Sequence, residues 1–167
     1  MTDADPFHHA FDRVADERTR LLVLGSLPGR QSLAAGRYYA HPRNQFWALL
    51  SPAAGVDLAA LDYADRLAAL LKTGIGLWDV VGTARRRGSL DAALRDVAAR
   101  DLKAALADLP SLRAMAFNGA AALAIGQRQL GPEPGVAIIP LPSSSPAHAV
   151  GLAAKRAAWD RLGDWLA

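Results

Sequence analysis

A dense run of aromatic and hydrogen-bonding residues lies in the segment LLVLGSLPGRQSLAAGRYYAHPRNQFW, residues 21–47. The segment begins with four apolar residues, 21–24, that predict a buried strand of a parallel sheet. A turn rich in glycine, GSLPG, follows the strand, and the polar and aromatic run comprises Arg37, Tyr38, Tyr39, His41, Arg43 and Asn44. Ligands of open parallel sheets bind just beyond the carboxyl ends of the strands, so this loop is the first candidate site.

Two adjacent tyrosines indicate the kind of ligand this loop could bind. Phe46 and Trp47 are expected on one face of a helix that begins at Asn44, where they would pack into the core. Tyr38 and Tyr39 are harder to bury together in a loop rich in glycine, so one ring is expected to face a ligand. A flat base is a natural partner, because stacking a base on an aromatic ring is worth about 1–3 kcal/mol.

The turn GSLPG, residues 25–29, has two interpretations. It could cradle a phosphate, or it could simply connect a strand tightly to the following loop. It matches neither the P-loop, because no Gly-Lys-Ser/Thr follows, nor the dinucleotide-binding fingerprint. On its own the turn therefore favours the structural role.

Polar groups also follow the later predicted strands. Asn118 carries an amide that both donates and accepts, so it could read the edge of a base, or it could cap the next helix. The serines at 143–145 could be solvated, or could grip a phosphate at a junction between a strand and a helix. Arginines 85–87 are typical of a solvated charge run, although they share the same sheet edge. Asp79 could act as a base, but the partner of a nearby arginine is favoured.

Hydrophobic patterning predicts the elements that position these groups. Continuous apolar strands are expected at 21–24, 75–81, 112–117 and 136–141, and helices at 44–50, 56–71, 89–109, 120–130 and 149–165, the third of them with a break near Arg100-Asp101. Residues 1–20 are predicted to form a polar N-terminal segment that precedes the first strand and contains a short helix at 10–15. The alternation predicts one domain, 1–167, folded as a three-layer α/β/α sandwich around a mainly parallel four-stranded sheet.

Composition excludes several classes of protein. The chain has 167 residues, 51% of them hydrophobic, and no apolar run approaches the roughly 20 residues that cross a membrane. The start, MTDADPFHHAFD, is unlike a signal peptide, so a cytoplasmic protein without membrane contacts is expected. The absence of cysteine removes disulfides, thiolate metal sites and cysteine nucleophiles, and the histidines show no metal-ligand spacing. No metal or cofactor is expected.

Basic residues favour a polyanionic partner without establishing one. The formal charge is +3, and arginines far outnumber lysines; arginine suits bidentate contacts with phosphate. The three lysines, Lys72, Lys103 and Lys155, are expected in or beside helices away from the candidate edge, so attack by an amine is not expected.

The edge segments, in this order, resemble those of the uracil-DNA glycosylase superfamily. The resemblance covers about residues 21–148 and is closest to the deoxyinosine (hypoxanthine) DNA glycosylase branch, next to the mismatch-specific uracil glycosylases. GSLPG and YYAHPRNQFW are similar to the Gly-x-Asn-Pro-Gly turn and the aromatic-Ala-His-Pro-x-Asn-x-Phe-Trp segment of the mismatch-specific enzymes. LPSSSPAH is similar to a His/Asn-Pro-Ser loop that pinches the DNA backbone and fills the gap left by an extruded base. Leu27 and Leu141 stand where relatives carry catalytic polar residues.

The resemblance implies a monofunctional glycosylase that acts on damaged DNA as a monomer, without metal or cofactor. A deaminated base, hypoxanthine first and uracil second, would be flipped out and its N-glycosidic bond hydrolysed. Asn44 would position the water, with Ser26 or Asp79 as the alternative group. The implied base pocket comprises Gly25, Leu27, Pro28, Tyr39 and Asn118. The implied DNA contacts are Gly29, Arg43, Ser143, Ser144, Ser145 and His148.

Two alternatives remain open at this point. A DNA-binding relative that has lost catalysis is motivated by the apolar residues at positions 27 and 141. The second alternative is a protein that binds a small nucleotide or phosphate through the GSLPG turn. The first predicts salt-sensitive DNA binding without turnover, and the second predicts that free nucleotides raise the melting temperature.

Overall fold

A four-stranded parallel sheet forms the centre of the computed structural model, which describes residues 5–148 and 150–167. In chain order the strands are β1 (Phe7–His9), β2 (Leu21–Gly25), β3 (Ile75–Asp79), β4 (Val81–Arg85), β5 (Arg95–Ala99), β6 (Ala114–Asn118) and β7 (Ala137–Leu141). The central sheet has the order β3-β2-β6-β7, and all three of its pairings are parallel. The carboxyl ends of its four strands therefore share one edge.

Helices cover both faces of this sheet. They are α1 (Arg30–Ala35), α2 (Phe46–Ala54), α3 (Tyr63–Thr73), α4 (Leu102–Asp108), α5 (Ala120–Leu130) and α6 (Leu152–Asp160), with short 3₁₀ turns at Leu58–Ala60, Asp91–Ala93 and Arg161–Trp165. Along β2, Leu21 and Val23 pack with α2, α3 and α6, whereas Leu22 and Leu24 pack with α4 and α5. Side chains alternate across a strand, so a strand covered on both faces must be apolar throughout. The predicted three-layer α/β/α sandwich is confirmed.

A second sheet was not predicted from the sequence. Strands β1, β4 and β5 form a three-stranded antiparallel sheet in the order β1-β4-β5. The short helix predicted at 10–15 is wrong, because residues 7–9 pair with β4 and Val14 bridges to Leu77. Pairing with an open strand edge satisfies the backbone groups of this N-terminal segment.

The helix predicted at 89–109 is also wrong in its first half. Residues 95–99 pair with β4, and α4 begins only at Leu102, where the Asp101 carboxylate accepts the backbone N–H of Ala104 at 3.0 Å. All residues of β5 are exposed, so the pattern of apolar residues could not distinguish it from a helix.

The remaining boundaries differ by a few residues. The strand predicted at 75–81 ends at Asp79 and β4 begins at Val81. The predicted helix 56–71 divides into a 3₁₀ turn and α3, and the closing helix begins at Leu152, while position 149 lies outside the described residues. Among the helices that the structure describes, none is both long and apolar enough to cross a membrane.

Candidate functional site

A cavity of about 440 Å³ opens at the carboxyl edge of the central sheet. Gly25, Asp79 and Asn118, the last residues of β2, β3 and β6, lie on its wall. The residues predicted for the site line it together, with the exception of Arg43, which is exposed beside it. Segments distant in sequence therefore converge on one cavity, as the parallel topology requires.

Asn118 and Tyr39, both predicted to belong to the base pocket, share this cavity and contact each other. The Asn118 amide Nδ2 donates to Tyr39 Oη at 3.3 Å and to Ser144 Oγ at 2.9 Å. Its Oδ1 accepts the Ser144 backbone N–H at 2.9 Å, and the next helix is capped by Gly119 without a side-chain bond. Asn118 thus ties the strand end to the 142–148 loop, and both protons of its amide are already donated to the protein.

Tyr39 is held in an unusual conformation. Its ring stacks on the buried Phe46 ring, with centroids 3.6 Å apart and planes 9° from parallel. Its φ of 52° lies in the left-handed region, which costs a residue with a side chain about 1–3 kcal/mol. The neighbouring backbone is held by Trp47 Nε1, which donates to the Tyr39 carbonyl at 3.1 Å, and by Ser32 Oγ, which accepts the Ala40 N–H at 3.0 Å. As expected, Phe46 and Trp47 are core residues. Tyr38 is buried as well, and Tyr39 is half-buried on the cavity wall.

The GSLPG turn is fixed by a loop that follows β4. Ser26 Oγ donates to the Asp91 carboxylate at 2.6 Å, and Ser89 Oγ accepts the backbone N–H of Arg30 at 2.9 Å. Leu27 is buried against the core beneath the turn. These contacts make the turn a rigid wall of the cavity, and they were not predicted from the sequence.

Arg86 also supports this turn, so the interpretation of 85–87 as a solvated charge run is wrong for its middle residue. The side chain is fully buried, and its guanidinium donates to the carbonyls of Pro28 and Gly88. Burial lowers the pKa of Arg86, and the charges of Asp91 and Asp79 oppose that change. Arg86 therefore fixes the position of the turn.

Asp79 is buried at the end of β3, which was not predicted from the sequence. It lies opposite Gly25 in the β2–β3 register, is 2% exposed, and lines the cavity. Its Oδ2 has no hydrogen-bond partner among residues 5–148 and 150–167, and no ion pair joins it to an arginine in that part of the chain. The expected role as the partner of an arginine is therefore wrong.

The buried carboxyl of Asp79 has an altered proton affinity. Burial raises the pKa of Asp79 to about 8; the Arg100 charge opposes this rise and the Asp91 charge adds to it. The carboxyl is therefore mostly protonated at neutral pH. Burial also raises the pKa of Tyr39, so that its phenol stays neutral. Asp79 and Tyr39 thus present neutral hydrogen-bonding groups to the cavity.

Asn44 lies on the cavity wall, just before α2. Its Oδ1 accepts the backbone N–H of Phe46 at 3.0 Å, which fixes the direction of the side chain. An amide oxygen has two lone pairs, so a second acceptor position remains for a water molecule. Next to it, the Arg43 N–H donates to His41 Nδ1 at 3.0 Å, which keeps this part of the loop ordered.

The 142–148 loop is braced from beneath. Ser144 is fully buried and its carbonyl accepts the Gln45 N–H at 3.0 Å, whereas Ser143 and Ser145 remain partly exposed. Lys155 is also buried, and its Nζ donates to the Ser145 carbonyl at 3.4 Å, so the expectation that every lysine lies away from this edge is wrong. Burial lowers the pKa of Lys155. In the described part of the chain, no cluster of His, Asp or Glu side chains could hold a metal ion.

Comparisons with known proteins agree with this geometry. The family model of the uracil DNA glycosylase superfamily matches residues 11–163. A hypoxanthine DNA glycosylase of Methanosarcina barkeri (strain Fusaro) is 41% identical over 109 residues, which span 65% of this chain and 69% of that protein. A hypoxanthine DNA glycosylase of Methanosarcina acetivorans is 39% identical over 109 residues, with the same coverage.

A solved structure extends the comparison to nearly the whole fold. The solution NMR structure of a Methanosarcina acetivorans protein, described as a candidate uracil DNA glycosylase, superposes with a TM-score of 0.84. The two proteins are 32% identical, and the match covers 96% of this chain and 99% of the other. With a family match over most of its length, the chain belongs to the uracil DNA glycosylase superfamily.

Proposed function

We propose that this chain is a monofunctional DNA glycosylase that removes hypoxanthine from DNA, with uracil as a second substrate. The observation that carries the proposal is the single cavity shared by Tyr39, Asn118 and Asp79 at the carboxyl edge of the sheet. Its volume of about 440 Å³ is in the range of sites for small organic ligands. The two hypoxanthine DNA glycosylases that resemble this chain support the choice of base.

The first step is extrusion of the damaged nucleotide, because the glycosidic bond cannot be reached inside the stacked duplex. The base then enters the cavity and packs on the Tyr39 ring. The Tyr39 ring is already fixed by stacking on Phe46, so no conformational entropy of this side chain is lost when a base binds. We expect the DNA backbone to pass along five residues that keep exposed surface and that line the cavity or, for Arg43, adjoin its lining: Gly29, Arg43, Ser143, Ser145 and His148.

The second step is departure of the base. As the bond from C1′ to the base breaks, its electron pair moves onto the base, and negative charge develops on the ring nitrogens and carbonyl oxygen. The protonated Asp79 carboxyl donates a hydrogen bond to that charge and transfers its proton to the departing base, which lowers the barrier, and the carboxylate regains a proton from solvent after the reaction. We assign this contact to Asp79 because the Asn118 amide protons are already donated to Tyr39 and Ser144.

The third step is addition of water to C1′ of the cation-like sugar. Asn44 Oδ1 accepts a hydrogen bond from this water and orients it, and the water loses a proton to solvent after attack. Ser26 lines the same cavity, and its oxygen can accept a second bond from the water while its proton is held by Asp91. The products are free base and an abasic site.

We propose that the protein acts as a monomer in the cytoplasm. A DNA substrate supports a location where genomic DNA is accessible.

The substrate assignment is tested by single-turnover cleavage of duplexes that carry deoxyinosine or deoxyuridine, followed by alkaline scission of abasic strands. We expect an abasic product from deoxyinosine, slower product from deoxyuridine, and none from an undamaged duplex. The absence of product from both damaged duplexes, with retained and salt-sensitive binding, would instead favour a non-catalytic DNA-binding relative.

Gly25 offers a test of the cavity geometry. A Cβ at this position would lie 2.8 Å from Asp79 Oδ1 and 3.0 Å from Tyr39 Oη, so Gly25→Ala must displace one of these groups. We expect the single-turnover rate on deoxyinosine to fall about 10²-fold, because small misplacements at a reacting centre carry costs of that size.

The matched control is Gly151→Ala. A Cβ there meets nothing within 4 Å, and its φ is −61°, so no strain is introduced. This variant should cleave at the wild-type rate. Equal rates for Gly25→Ala and the wild type would mean that Asp79 and Tyr39 do not contact the base.

A further inference from the structure

A large apolar side chain is exposed at the rim of the cavity. Leu90 lines the cavity mouth, yet 59% of its surface is exposed. The other large apolar side chains that are exposed in the described residues, Phe7, Val97 and Val150, do not line it. Exposed leucine is unremarkable by itself. Its place beside a cavity for an extruded base is the feature that requires an explanation.

The loop around Leu90 is anchored on both sides. Ser89 Oγ accepts the backbone N–H of Arg30 at 2.9 Å, and Asp91 accepts the Ser26 hydroxyl at 2.6 Å. The Leu90 carbonyl accepts the Ala93 N–H at 3.0 Å, which closes a 3₁₀ turn. The side chain is therefore presented from a loop that is tied to the GSLPG turn, and little ordering is needed when it meets a partner.

Extrusion of a base leaves a gap in the DNA stack, and proteins that distort DNA commonly fill such a step with an apolar wedge. The 142–148 loop was expected to fill the gap. However, its residues in order are Pro, Ser, Ser, Ser, Pro, Ala and His, so it offers no large aliphatic side chain. Ser144, in the middle of this loop, is buried and bonded to Asn118. The expected filling group is therefore missing from that loop.

We propose that Leu90 is the wedge that enters the DNA stack in place of the extruded base. The proposal rests on the proposed glycosylase function and adds a residue that acts on the duplex rather than on the base. The anchoring of its loop to the GSLPG turn couples the wedge to the cavity wall. The wedge would thus hold the base in the cavity while the bond is cleaved.

The test compares duplex and single-stranded DNA. A wedge matters only where a stack must stay open, so Leu90→Ala should slow single-turnover cleavage of a deoxyinosine duplex by about tenfold or more. Cleavage of the same deoxyinosine strand without its complement should change less than about twofold, because no base pair must be broken. Leu90→Met, which restores a long apolar side chain, should recover most of the duplex rate.

Val97→Ala is the matched control, because it removes an exposed apolar side chain on β5 that does not line the cavity. It should leave both rates unchanged. If Leu90→Ala lowers the cleavage rate equally on both substrates, Leu90 has a structural role. If it lowers the rate on neither substrate, Leu90 does not act on the DNA. Both results would overturn the proposal. Failure of the wild type on the single strand and the duplex alike would instead contradict the proposed function.

Discussion

Replacing Asp79 with alanine should lower the single-turnover rate on deoxyinosine by about 10²–10⁴-fold, the range attributed to a positioned general acid or base. Asp79→Asn should retain more activity than Asp79→Ala, because its amide can still donate a hydrogen bond to the departing base but cannot transfer a proton. The measurement is cleavage of a deoxyinosine duplex at saturating enzyme. Wild-type rates for both variants would exclude Asp79 from the reaction.

The pH dependence gives this prediction a second readout. The pKa of about 8 means that the Asp79 carboxyl loses its proton as pH rises through that value. The wild-type rate should therefore fall above about pH 8, whereas the residual rate of Asp79→Asn should be flat there. A wild-type rate that rises through the same range would indicate that the ionised carboxylate acts as a base.

The same ionisation should affect stability. The pKa of Asp79 rises from 3.8 to about 8 on folding, so the folded protein binds a proton that the unfolded chain has already released between these values. Its contribution is most favourable below the lower value and is lost as pH rises through the higher one. Asp79→Asn cannot ionise, so it avoids this loss of stability. Above about pH 8 the variant should therefore have a higher melting temperature than the wild type, although it is less active.

Replacing Asn44 with alanine should lower turnover by at least about 10²-fold while DNA affinity changes little. The reason is that Asn44 contacts the water rather than the DNA backbone in the proposed mechanism. Rates come from single-turnover cleavage, and affinity from fluorescence anisotropy with an abasic duplex. If Asn44→Ala keeps the wild-type rate, we would conclude that Ser26 or Asp79 positions the attacking water instead.

The neighbouring Arg43 provides the opposite pattern. It is exposed and does not line the cavity. Arg43→Ala should therefore weaken DNA binding and reduce its salt dependence, while the rate at saturating enzyme stays near that of the wild type. Together the two variants separate binding from chemistry within two adjacent residues.

The central architecture could be predicted from the sequence because its physical signals are local and strong. A strand buried on both faces must be apolar throughout, and the four parallel strands each carry an apolar run. Parallel topology then brings their carboxyl ends to one edge. Tyr39 and Asn118, distant in sequence, could be placed beside the same cavity for that reason.

The antiparallel sheet and the buried charges could not be predicted in the same way. Every residue of β5 is exposed, so its strand conformation depends on pairing with β4 rather than on a buried face. Arg86 looks like any arginine in a charged run, and its burial depends on the carbonyls of Pro28 and Gly88. The unpaired buried oxygen of Asp79, at the end of β3, depends on which residues pack around it. Such roles arise from tertiary contacts.

The central claim is that one extruded base occupies this cavity, between the Tyr39 ring and the Asp79 carboxyl. The most direct measurement is a crystal structure of Asn44→Ala bound to a duplex that contains deoxyinosine. We expect hypoxanthine outside the duplex, packed on Tyr39 and hydrogen-bonded to Asp79. A hypoxanthine that remains stacked in the duplex, or that binds away from Tyr39 and Asp79, would contradict the account.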